Sequence, residues 1–147
     1  RLDYAVGEYW PEKITTVNDP EVLDWLEQRL WFITLPPRVG GFNVLDETNI
    51  SVEGARALAD AADRVWSSIL ARDIEGLGRW YRASFEAQVA MFPLMKSRVV
   101  AETIRHYRDK ALGWKLAGAG GGGYLALVSD RPVENAIRIR IRRERTA

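Results

Sequence analysis

The sequence predicts an α+β fold, with helices packed on one face of a small, mainly antiparallel sheet. Three observations lead there. The β-branched and aromatic run Leu30-Trp-Phe-Ile-Thr-Leu35 stops at Pro36-Pro37. Residues from about 51 to 110 carry apolar stripes at helical spacing, interrupted by capping residues. Beyond them, two apolar strand-like runs flank a glycine-rich segment at 118–123.

Each element has a local cause. Asn18-Asp19-Pro20 opens a short helix that runs to about Gln28, with Asp19 as cap and Pro20 at the first helical position. Leu30 to Leu35 has the composition and length of a buried strand. Arg38 to Asn49 is a loop long enough to have a function of its own. Ser51 caps a second helix with Val52, Ala55, Leu58, Ala62, Val65, Trp66 and Ile69 as its predicted apolar stripe. Asp73 caps a third, in which Ile74, Leu77, Tyr81, Phe85, Val89 and Phe92 share a face until Pro93. A fourth is expected from about Leu94 to Lys110. Strands follow at about Trp114 to Ala117 and Tyr124 to Ser129, and a last one, at about Ala136 to Arg142, is indicated by alternating Ile and Arg.

Composition narrows the classes. A chain of 147 residues fits one domain, and a domain of that size buries roughly 68–70% of the surface its unfolded chain exposes. No apolar stretch approaches the ~20 residues of a membrane span. With no cysteine there is neither a disulfide framework nor a thiolate metal site, which suits the cytoplasm, and a single histidine, His106, makes zinc a poor fit. A formal net charge of +1 creates no general field for nucleic acid, although Arg138, Arg140, Arg142, Arg143 and Arg145 make the C-terminal end locally basic.

Five of the twelve glycines lie between residues 118 and 123. Glycine reaches positive φ readily, and successive amides in such a segment form a concave nest for anions such as phosphate. The segment Gly118, Ala119, Gly120, Gly121, Gly122 and Gly123 is therefore the candidate phosphate-binding site. It formally satisfies G-x-G-x-x-G, but a strand follows it where a dinucleotide fold requires a helix. Walker A fails because no Gly-Lys-Ser/Thr closes the run, and the protein kinase signatures are missing.

The pattern that remains, Gly113-Trp-Lys-Leu-Ala-Gly-Ala-Gly-Gly-Gly-Gly-Tyr-Leu125, resembles the third motif of the superfamily of galactokinase, homoserine kinase, mevalonate kinase and phosphomevalonate kinase. It is most similar to the branch of L-fucokinase and D-glycero-D-manno-heptose 7-phosphate kinase. Trp31-Phe-Ile-Thr-Leu-Pro-Pro-Arg38 resembles the family strand that ends in a threonine followed, after a short turn, by an arginine, with Leu35 where glycine is usual.

The resemblance implies a ferredoxin-like C-terminal kinase domain over residues 30–147. Residues 1–29 would lead into it from an N-terminal kinase domain, the partner that carries the main phosphate loop and the catalytic aspartate. ATP and Mg²⁺ would be cofactors of the complete enzyme, the substrate would be a sugar or sugar phosphate, and no catalytic residue or metal ligand would lie in this chain. Half of a phosphate cradle should not turn over, so the chain alone is expected to be inactive. Lys115 and Arg38 are the candidate substrate-binding residues.

Plainer roles compete for each residue. The glycine run could be a hairpin connection, although two residues suffice for that. Lys115 and Arg38 could simply be solvated. Asp60, Asp63 and Asp73 with Arg56, Arg64 and Arg72 read as a charged helix surface, and His106 reads as a surface histidine. Trp25, Trp31, Trp66 and Trp80 read as core, with Trp10 and Trp114 open. Two alternative functions stand beside the kinase: a non-catalytic, metabolite-sensing relative, and a nucleic-acid module using the arginine-rich strand.

Overall fold

The computed structural model describes residues 1–38 and 40–143. The order of elements is β1 (Leu2–Asp3), β2 (Lys13–Ile14), α1 (Pro20–Glu27), β3 (Leu30–Leu35), α2 (Val52–Ala71), α3 (Ile74–Met91), α4 (Arg98–Tyr107), β4 (Gly113–Ala117), β5 (Gly123–Val128) and β6 (Ile137–Arg138). β1 and β2 form a separate two-stranded ribbon, while the main sheet runs β4-β5-β3-β6 with every pairing antiparallel. The chain is α+β.

Three helix starts follow from their caps. Asp19 accepts from the Glu21 amide at 2.8 Å, Ser51 from Gly54 at 3.0 Å and Asp73 from Gly76 at 2.9 Å. Each satisfies one of the amides that a helix leaves without a partner.

Strand register decides the core. Ile33 lies opposite Leu125, which in turn lies opposite Leu116. These three join Leu35, Leu127, Phe85, Met95, Val100, Tyr107 and Val133 in one buried cluster. The same register stacks Phe32 near Tyr124, with ring centroids 5.5 Å apart. Helix α3 lies along β4 so closely that a methyl group on Gly113 would stand 2.1 Å from the Gly78 carbonyl oxygen.

The structure moves several predicted boundaries. Of the predicted α2 stripe, Val52, Ala55 and Ala62 are exposed, whereas Ala61 and Ser68 are buried. The contact face is turned toward small residues because α2 and α3 pair as an antiparallel hairpin, and small side chains let their backbones come close. The fourth helix does not begin at Leu94. Pro93–Met95 makes a 3-10 turn, and the extended Ser97 caps α4 by accepting from Val100 at 3.4 Å.

The predicted last strand, about Ala136 to Arg142, is reduced to Ile137–Arg138, paired with Phe32 and Trp31. Beyond it the chain is drawn to α1. The Ile141 amide donates to Glu27, and Arg143 reaches Asp24 at 2.6 Å and Glu27 at 2.9 Å. Arg145 lies outside the described residues. The β1–β2 ribbon was not foreseen; two-residue strands offer no periodicity to read. No helix among the described residues is long and apolar enough to cross a membrane.

Candidate anion-binding site

The glycine segment closes the β4–β5 hairpin, and β5 in turn pairs with β3, whose exit carries Pro36-Pro37-Arg38. The φ angles are +82° at Gly118, +77° at Gly120, +71° at Gly121 and +87° at Gly123, while Ala119 and Gly122 stay outside that region. The sign of φ changes at 118/119, 119/120, 121/122 and 122/123, while Gly120 and Gly121 are both positive; a change of sign between neighbours is the geometry in which successive amides converge on one anion. Outside the strand ladders, no amide from 118 to 122 donates to a protein acceptor among the described residues.

Close packing holds this loop in place. A Cβ on Gly120 would lie 2.9 Å from the Met95 carbonyl oxygen, and one on Gly122 would lie 2.7 Å from that of Pro36. The Phe42 ring covers Gly121. Arg38 donates from Nε to the Gly120 carbonyl at 2.8 Å, and its guanidinium carbon sits 5.9 Å from the Phe42 ring centroid. The terminal guanidinium nitrogens make no hydrogen bond to the described residues. One edge of the fork therefore fixes the loop while the other is available to an anion.

A cavity of about 240 Å³ opens beside the loop, lined by Leu35, Pro36, Phe42, Gly121, Gly122 and the first turn of α4 from Ser97 to Val100. The first turn of α4 thus lines the same cavity as Gly121 and Gly122, with the Val100 amide capped by Ser97 Oγ. Neither a carboxylate nor an imidazole nor a lysine ammonium is among the lining residues. The arrangement can hold an anion but offers no group to move a proton.

The structure thus brings Arg38 to the glycine segment and leaves Lys115 elsewhere. Lys115 Nζ donates to Ser84 Oγ at 3.0 Å and to Gln88 Oε1 at 2.8 Å, both on α3. With neutral partners only, burial lowers its pKa below the usual lysine value. His106 is exposed, 3.2 Å from Lys110 Nζ. Asp63 pairs with Arg1 at 3.4 Å and Arg72 with Glu21 at 2.9 Å, and these side chains are largely solvated, as a charged helix surface should be.

Sequence reasoning missed Phe42, Met95 and Ser97. Ser97 ahead of the apolar Val99-Val100 was a legible cap signal; Phe42 and Met95 reach the loop only through the tertiary fold. Among the described residues, no group of three or more acidic or histidine side chains could hold a metal ion. No protein-family model matches the chain, and no curated protein matches it.

Proposed function

We propose that this chain is the C-terminal half of an ATP-dependent sugar kinase related to the galactokinase, homoserine kinase, mevalonate kinase and phosphomevalonate kinase superfamily. The observation that carries the proposal is the strand-flanked glycine segment, whose amides from 118 to 122 are uncommitted outside the ladders among the described residues and whose Gly120 is held by Arg38. Amides held in place stabilise phosphate oxygens without reorganising, which is what phosphoryl transfer asks of a protein.

On this reading the loop and Arg38 bind and orient ATP phosphates or a sugar phosphate at the cleft with an N-terminal domain. When bound, Mg²⁺ supplies charge neutralisation between phosphate oxygens. Its protein ligands would come from that domain, since the described residues offer no cluster for it. The catalytic aspartate would come from there as well, and the complete enzyme would work in the cytoplasm. On this reading Lys115, bonded to Ser84 and Gln88, positions β4 against α3.

Two measurements test this. Titration of the ¹⁵N-labelled chain with ATP should shift the amides of 118 to 123 and the Arg38 Nε signal; silence at millimolar nucleotide refutes the phosphate role. ADP release from ATP over a panel of sugars should stay at background for this chain alone. Robust turnover refutes its being half of an enzyme. The structure does not favour the nucleic-acid alternative, because β6 holds a single arginine, Arg138, and Arg143 is engaged by Asp24 and Glu27.

A further inference from the structure

Ala101, Ile104 and Arg105 of α4, with Arg108 just after its end, follow helical spacing and form one face. That face meets Arg82 and Glu86 of α3, Trp114 of β4 and Lys96 of the linker before α4. Together with Asp109 they line a groove of about 480 Å³, within the range of small-molecule sites. It shares no lining residue with the glycine cavity.

The charges in the groove are unusually free. Arg82, Lys96 and Arg105 have no carboxylate within 4 Å among the described residues, and Arg108 has only its chain neighbour Asp109, at 3.8 Å. Four cationic heads against two carboxylates leave a net charge of +2 in a chain whose total is +1. Low-dielectric walls concentrate such a field. The floor is apolar: Ile104 and half-buried Trp114, whose ring lies 5.2 Å from the Arg82 guanidinium carbon.

We propose that this groove is a second binding site, for a small phosphate monoester. A phosphate monoester carries about −1.5 to −2 at neutral pH, which matches the groove's charge. The Trp114–Ile104 floor takes the organic body, and Arg105, Arg108 and Lys96 take the phosphate. Arg82, held over the indole, presents its remaining donors to the same space. Glu86 opposes the ligand and limits its affinity. The inference stands independently of the glycine loop.

The test uses the full chain, with glucose 6-phosphate as probe, followed by calorimetry and tryptophan fluorescence at fixed ionic strength. The expected result is saturable binding whose Lys96- and Arg105-dependent component is at least tenfold weaker for inorganic phosphate and absent for glucose. The double variant Lys96→Gln/Arg105→Gln should bind about tenfold or more weakly, since hydrogen bonds to charged groups are among the stronger ones. Glu86→Gln should bind more tightly, Trp114→Phe should bind with a diminished fluorescence response, and Arg131→Gln, an exposed residue that lines neither cavity, should bind as the parent does.

No saturable binding below about 10 mM, corresponding to less than ~3 kcal/mol, overturns the proposal. So does binding indifferent to Lys96, Arg105 and Glu86, or equal affinity for inorganic phosphate. An RNA oligonucleotide that binds through these residues while the ester does not would replace the ester with a polyanion and overturn it too. The substituted side chains at 86, 96 and 105 are exposed, so unchanged melting temperatures separate lost binding from lost folding.

Discussion

Alanine in place of Gly120 perturbs the glycine segment where it is most tightly seated, and Gly118 provides the matched control. Both have φ near +80°, so each alanine incurs about 1–2 kcal/mol from the left-handed backbone alone. At Gly118 nothing lies within 4 Å of the new methyl group, and the cost ends there. At Gly120 the methyl would stand 2.9 Å from the Met95 carbonyl oxygen and 3.0 Å from its Cα, backbone atoms that cannot rotate aside. Overpacking of that kind adds about 1–3 kcal/mol. For a chain of this length 1 kcal/mol moves the melting temperature by about 3 °C, so Gly118→Ala should lose roughly 3–6 °C and Gly120→Ala roughly 6–15 °C. Calorimetric or CD melts of the two variants provide the measurement. A loss at Gly118 equal to or larger than that at Gly120 would refute the claim that the loop is braced against Met95.

Four further outcomes are expected. Arg38→Ala removes the hydrogen bond from Nε to Gly120 and should cost about 1 kcal/mol, with lowered backbone NMR order parameters confined to 118–123; unchanged order parameters there refute the brace. Glu27 titrates below the ordinary glutamate value, chiefly because the Ile141 amide and then Arg143 favour its ionised form. Its stabilising effect is therefore complete above the ordinary value and lost as pH falls through the lowered one, so the Ile141 amide should lose exchange protection in acid, and Glu27→Gln should abolish that pH dependence. Lys115, its pKa lowered by burial, penalises the fold while charged; between its lowered value and the ordinary lysine value the parent should gain stability with rising pH relative to Lys115→Met, and parallel profiles would contradict this. The Trp31 indole N–H is buried with no partner among the described residues, so Trp31→Phe should cost less than the ~3–5 kcal/mol of a large aromatic truncation, as read by denaturant melts.

Legibility in the sequence followed the range of the interactions. Asp19, Ser51 and Asp73 cap helices through bonds spanning two or three residues, so their starts could be read directly. Leu30–Leu35 was legible for the same reason, its apolar run being bounded by Pro36-Pro37. The last strand was not, because alternating Ile and Arg satisfied a local rule while Glu27 and Asp24, more than a hundred residues away, drew Arg143 and Ile141 off the sheet. Trp114 had no assignable role until α3 and α4 surrounded it with Arg82 and Arg105.

The sequence by itself determined the α+β class, the helix caps and a glycine segment able to take positive φ, because propensity, capping and positive-φ tolerance act within a few residues. Only the tertiary structure decided that Arg38 reaches Gly120 and Lys115 faces α3. It alone placed Phe42, Met95 and the start of α4 around the loop. Those contacts join residues far apart in the chain, and they depend on strand register and helix approach, which no local pattern encodes.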